Sequence, residues 1–158
     1  MTRPRLHPVR LCTLGLAALI ACAALAACAL PVQRRQDALM RTAREFNDGL
    51  RWGRDDQVLA CLDPVEAKAL QTRRSDLGDD FAMADQEVKS VKFVEGADAN
   101  KATVLAEFTW YRQSQSVVKR STVEQQWTWA DDHWTLSSWK RISGERFPLV
   151  PEPLGTHK

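Results

Sequence analysis

The sequence predicts an α+β domain in which N-terminal helices pack on a curved four-stranded antiparallel meander sheet. Three observations predict it. Apolar residues recur at helical spacing after an uncharged leader, the pattern switches to alternation beyond Phe81, and turn-forming residues separate four alternating stretches. The 158 residues suit one such domain, and no internal repeat or low-complexity segment interrupts them.

The chain begins MTRPRLHPVR, with Arg3, Arg5 and Arg10 and no acid, and continues without a charge from Leu11 to Leu30. That length would span a bilayer, but the run is dominated by alanine and ends in small residues beside a cysteine. Leu25-Ala26-Ala27-Cys28 resembles the lipobox of bacterial lipoprotein precursors. The resemblance implies a diacylglycerol thioether on Cys28, cleavage before it, and a further acyl chain on the new amine. Leu19-Ile20-Ala21-Cys22 also fits, but it leaves a shorter apolar run ahead of the cysteine and an apolar stub, AALAACAL, behind it. Cys28 is followed almost at once by the polar PVQRRQDA, so Cys28 is the expected lipidation site and Cys22 the alternative. An uncleaved anchor or an ordinary Ala-x-Ala cleavage also stays open. Ala29 stands where an inner-membrane retention signal would have Asp, which puts the outer membrane ahead of the inner one. The expected organisation is a lipoprotein signal peptide over 1–27, a lipidated linker over 28–33, a domain over 34–147 and a flexible tail over 148–158.

Charge and cysteine count change once the leader is set apart. The chain has 22 Lys and Arg against 20 Asp and Glu; without the three leader arginines 19 bases face the same 20 acids, and the formal +2 becomes −1. No field remains that would hold nucleic acid by counterion release, and none is expected as a partner. Cys12, Cys22 and Cys28 lie in the leader. Cys61 is then the domain's lone thiol, set in VLACL and expected to be buried on an apolar helical face rather than nucleophilic.

Leu39, Ala43, Phe46 and Leu50 follow spacings of four, three and four, one face of a helix from Gln33 to Leu50 that Gly53 would terminate. Asp55 and Asp56 open a short helix carrying Val58, Leu59, Cys61 and Leu62. Asp63-Pro64-Val65-Glu66 supplies an N-cap, proline at N1 and glutamate at N3 for a third, expected to reach about Thr72. SDLGDD then reads as a turn. Strands are expected within Phe81–Val94, over Ala102–Gln113, over Val117–Trp129 and over Trp134–Ile142, with Glu95–Asn100 and Ala130–His133 as turns.

TAREFNDGLRWGR, LDP, EVKSV and the closing WTLSSWKR, in that order, resemble uncharacterised proteobacterial lipoproteins whose mature part looks like the NTF2-like, or cystatin-like, cone. The resemblance covers about Arg34 to Phe147 and implies a helical layer held by a curved sheet. Its motifs carry no known catalytic role. Enzymes built on that cone commonly set an Asp or Glu base, often with Tyr or His, deep in the cavity.

The six tryptophans are the most distinctive feature, five of them between residues 110 and 139. Trp127 and Trp129 share a strand face and Trp134 shares one with Leu136. Trp139 has the opposite parity, so aromatic rings occupy both sides of the sheet unless a bulge resets the alternation. Trp52, Trp110, Trp127, Trp129 and Trp134 are the candidate ligand or partner contacts, with core packing as the alternative. In Arg51-Trp52-Gly53-Arg54 the indole is expected to close the cone, with a cation–π contact as the other use. Tyr111 follows Trp110 and so faces the other way.

Glu107 and Glu124 have solvent-face parity and are expected to pair across strands with Lys or Arg. Lys119-Arg120 and Lys140-Arg141 are basic pairs on neighbouring strands that could face one another across the hairpin and meet anionic lipid head groups, lipopolysaccharide or peptidoglycan carboxylates; the other reading is a solvated face paired with Glu124 and Asp131. Asp131-Asp132-His133 reads as a turn. His133 is not placed as a buried base, and neither a metal nor a cofactor is expected.

The expected function is that of a non-enzymatic, lipid-anchored envelope protein facing the periplasm. It would bind an envelope protein partner, a second copy of itself or a small apolar ligand. A ketosteroid-isomerase-like enzyme and a purely structural tether are the alternatives.

Overall fold

A computed structural model describes residues 33–94 and 100–151. Cys22 and Cys28, the leader, residues 95–99 of the expected turn and the chain after Pro151 therefore lie outside the described residues. Among the described residues no helix is long and apolar enough to cross a membrane. The chain divides into two units, 1–36 and 37–158. Of the first, only residues 33–36 are described, and they are helical.

In the second unit, helices α1 (running to residue 52), α2 (Asp55–Leu59) and α3 (Pro64–Leu77) precede strands β1 (Phe81–Phe93), β2 (Lys101–Arg112), β3 (Val117–Ala130) and β4 (His133–Gly144). The strands form one open antiparallel sheet in the order β1-β2-β3-β4. The class is α+β.

Helix α1 buries Leu39, Ala43, Phe46 and Leu50, the stripe its spacing predicts. Phe46 meets the sheet through edge-on contacts with Trp127 and Trp139, at centroid distances of 5.5 and 5.7 Å. The helix stops at Gly53, whose φ of 66° is costly for any residue with a Cβ. Asp63 caps α3 by accepting from the amides of Val65 and Glu66 at 2.9 and 3.0 Å. That helix runs past Thr72 to Leu77. Ser75 and Asp76 tolerate helical dihedrals, and the first left-handed residue is Gly78, with φ 54°.

The inner sheet face carries Val104, Ala106, Phe108 and Trp110 from β2 and Val123 and Trp127 from β3, all buried. A register shift settles the parity of β4. Gln126 pairs with Ser138 but Trp127 pairs with Leu136, so Ser137 is the extra residue of a bulge. Trp134, Leu136 and Trp139 are therefore all buried in the one core, and the two-sided distribution expected without a bulge does not occur.

After β4 the chain turns back under the sheet. Phe147 stacks on Phe108 at 4.7 Å and 10°, and Leu149 and Val150 are buried too. The core thus extends beyond Phe147 into the segment expected as a tail. The edge of β4 is partly covered. Leu62 forms a parallel bridge with Leu136, and the Leu136 amide donates to the Cys61 carbonyl at 2.8 Å.

The outer face is polar and ion-paired. Glu107 pairs with Lys89 and Arg120 at 3.5 and 3.6 Å, and Glu124 pairs with Lys140 at 3.0 Å, as their parity predicts. The two basic pairs do not meet. Lys119 and Arg120 sit opposite Trp110 and Thr109, whereas β4 begins its pairing with β3 only at Ser121 and sets Lys140 against Glu124.

Candidate functional site

The five candidate tryptophans occupy four different environments. Trp127 is core: it is buried against Phe46, and its indole N–H donates to Gln125 Oε1 at 3.4 Å. Trp110 is also buried. Its N–H donates to Ser121 Oγ at 2.9 Å, and that hydroxyl donates on to the Glu145 carbonyl at 2.7 Å. Trp52 is 61% exposed, so it does not close the core. It lies past the last buried residue of α1, Leu50, and the Arg51 guanidinium covers its ring at 4.8 Å. Only Trp129 and Trp134 come together as a site.

These two form a T-shaped pair at 5.5 Å, paired across the β3–β4 hairpin, with Phe93 against Trp134 at 6.3 Å. The hairpin positions them. Asp131 and Asp132 take φ values of 49° and 60°, the left-handed pair of a two-residue type I′ turn, which aspartate tolerates. His133 follows, with Nδ1 3.0 Å from the Asp131 carbonyl. The turn reading of this acidic stretch is what the backbone shows.

The tryptophan pair lines a cleft of about 540 Å³. Ala38, Arg41 and Glu45 of α1 line it as well, and Cys61 contributes from the turn after α2. The helix residues were not among the sequence candidates. Their i, i+3, i+7 spacing sets them as a stripe beside Leu39, Ala43 and Phe46, which is the signal that would have found them.

Cys61 sits just past α2 and is half-buried rather than on a helical face, with its thiol donating to the Gln57 carbonyl at 3.5 Å. Burial, helped by the negative charge of Glu45, pushes its pKa up to about 11. The thiol is held protonated at neutral pH and is a poor nucleophile there.

Among the described residues no group of three or more His, Cys, Asp or Glu side chains is arranged to hold a metal ion. The carboxylates whose pKa is displaced, Asp80 and Glu124, are lowered. Hydrogen bonds from Ser114 act on the first, and the bond from Lys140 acts on the second. Neither lines this cleft.

Taken together, the described unit is an α+β domain with an aromatic cleft at the β3–β4 end of its sheet. Comparison with family models, curated proteins and solved structures found no match.

Proposed function

We propose that this chain is a non-enzymatic bacterial lipoprotein, anchored through Cys28 to the outer membrane and facing the periplasm, whose NTF2-like domain binds a small apolar ligand or an apolar protein segment. The observation that carries the binding part is the Trp129–Trp134 pair lining a cleft of about 540 Å³. That volume lies in the range of small-molecule sites, and such sites combine aromatic walls with a few polar groups. Arg41, Glu45 and His133 supply polar groups here. A second copy docking on the outer sheet face is less favoured, because it would bury the Glu107 and Glu124 ion pairs. The anchor rests on the lipobox-like Leu25–Cys28, and two or three acyl chains would make attachment effectively permanent.

The binding test uses the neutral probe N-phenyl-naphthylamine with the full chain. Saturable probe fluorescence that falls in Trp129→Ala and persists in Trp52→Ala supports the reading. An equal response in both variants rejects the cleft. Native mass spectrometry without a bound ligand, combined with in-cell crosslinking without a partner, rejects the binding function as a whole. The anchor is tested by fractionation. Cys28→Ser should leave the membrane fraction while Cys22→Ser stays, and the reverse result moves lipidation to Cys22.

A further inference from the structure

A second cleft lies at the other end of the strands. From Lys101, opposite Thr128, to Trp110, opposite Lys119, the register advances nine residues along β2, roughly 30 Å at the rise of a strand. This cleft encloses about 490 Å³. Arg73 from α3, Arg112 from β2, Lys119 from β3 and Arg146 after β4 all line it, around Trp110. Among the described residues no acidic side chain lines it.

Two of the four cations are compensated from outside the cleft. Arg73 is held by the Glu66 carboxylate and by the Leu149 carbonyl, to which its Nε donates at 2.9 Å. Arg112 pairs with Asp80 at 3.3 Å. Lys119 has only neutral partners, the face of Trp110 at 5.2 Å and Gln115 Oε1 at 3.3 Å. Arg146 is exposed and, among the described residues, makes no ion pair or hydrogen bond.

Among the described residues two positive charges are therefore left over in one cleft, beside two guanidinium groups already fixed in place with N–H groups to spare. A single carboxylate would balance one of the surplus charges. A dianion with several acceptor oxygens balances both and accepts from the planar forks of arginine as well. We propose that this cleft binds a phosphate group in its dianionic form. Lys119 and Arg146 supply the charge, and Arg73 and Arg112 orient the oxygens. The group is either inorganic phosphate or a soluble monoester, or else the phosphomonoester headgroup of a lipid. The site shares no lining residue with the Trp129–Trp134 cleft, so it stands or falls independently of the binding function proposed above.

The test is calorimetric titration of the full chain in detergent with inorganic phosphate at constant ionic strength, with chloride as the control. Saturable binding is expected, weakened roughly tenfold in Arg146→Gln and in Lys119→Gln, as for loss of one charge-assisted bond. Lys119→Arg should restore it. Lys140→Gln, whose lysine pairs with Glu124 outside the cleft, should leave it unchanged. Arg146→Gln should melt with the parent, because among the described residues that exposed side chain makes no ion pair or hydrogen bond to lose. Phosphatidylcholine vesicles with and without phosphatidic acid separate the sources. A preference for phosphatidic acid that Arg146→Gln abolishes assigns the lipid headgroup; phosphate binding without that preference assigns the soluble form. Heats no larger than those of chloride, or phosphate affinity unchanged in both Arg146→Gln and Lys119→Gln, overturn the proposal.

Discussion

Trp139 donates its indole N–H to Glu66 Oε1 at 2.8 Å, which ties β4 to the first turn of α3. Glu66 stands at the N3 position, where a capping box would turn its carboxylate back to the N-cap amide. Here the same oxygen also receives Arg73, so one carboxylate joins strand, helix start and helix end. Glu66→Ala leaves the Trp139 N–H and the Arg73 guanidinium without their acceptor and is expected to cost about 2 kcal/mol. Trp139→Phe keeps an aromatic edge against Phe46 and should cost about 1 kcal/mol. Urea unfolding of the two variants checks the order.

Asn47 and Gln125 form a buried amide pair between α1 and β3, with Gln125 Nε2 donating to Asn47 Oδ1 at 2.8 Å, while Asn47 Nδ2 has no partner. Gln125→Met strips Asn47 of its partner and the Trp127 N–H of its acceptor, whereas Asn47→Leu removes only the acceptor of Gln125 Nε2. The double variant replaces both with apolar groups. It should therefore be less destabilised than the sum of the singles, with a coupling of about 1 kcal/mol in a double-mutant cycle.

Two glycines with positive φ should differ in their tolerance of a methyl group. A Cβ on Gly53 meets nothing within 4 Å, so Gly53→Ala carries only the left-handed backbone penalty, about 1 kcal/mol. A Cβ on Gly144 falls 2.3 Å from the Arg120 carbonyl oxygen, which accepts from the Glu145 amide at 2.8 Å. Gly144→Ala must break that closure and should cost about 3 kcal/mol, read as the larger drop in thermal midpoint.

The Cys61 thiol should alkylate slowly at neutral pH and accelerate toward pH about 11. Glu45→Gln removes the nearby charge and should move the rate profile to lower pH. The folded state holds this proton more tightly than the unfolded chain. Its contribution to stability is complete below the unfolded value of 9.0 and is lost as pH rises through about 11. Cys61→Ser should flatten stability across that alkaline window.

Asp80 fastens the β2–β3 turn, accepting from the Ser114 amide at 2.7 Å and from its hydroxyl at 3.0 Å. Those bonds, with Arg112 behind them, hold its carboxyl below the ordinary 3.8. The contribution is present above that value and disappears as pH falls through the lower folded pKa. Asp80→Asn should reduce the acid sensitivity of the unfolding midpoint. An unchanged pH profile would show that the turn does not depend on this charge.

Local chemistry carried most of the element boundaries. The α1 stripe, the Asp63-Pro64 cap and the β3–β4 turn need only nearest neighbours in sequence, and they lie where spacing and turn residues put them. The site was less legible. Alternation cannot show a bulge, so Trp139 looked as if it faced away from Trp134, and Trp52 looked like a plug because its exposure depends on where α1 ends relative to the sheet. Parity allowed Lys119 and Lys140 either to face one another or to meet acidic neighbours, and only the register sets Lys140 against Glu124 and Lys119 against Trp110.

Residue order was enough for the class of fold, for the sequence of helices and strands, and for the outward pairing of Glu107 and Glu124, because each follows from period, capping or parity within a short window. Which tryptophans meet, and that Arg73, Arg112, Lys119 and Arg146 line one cleft, came only with the folded chain. Those residues arrive from α3, β2, β3 and the segment after β4. Their convergence is set by the strand register, with its bulges at Ser137 and Ile142, and by the return of Phe147 beneath the sheet. These are long-range packing choices to which no local pattern is sensitive.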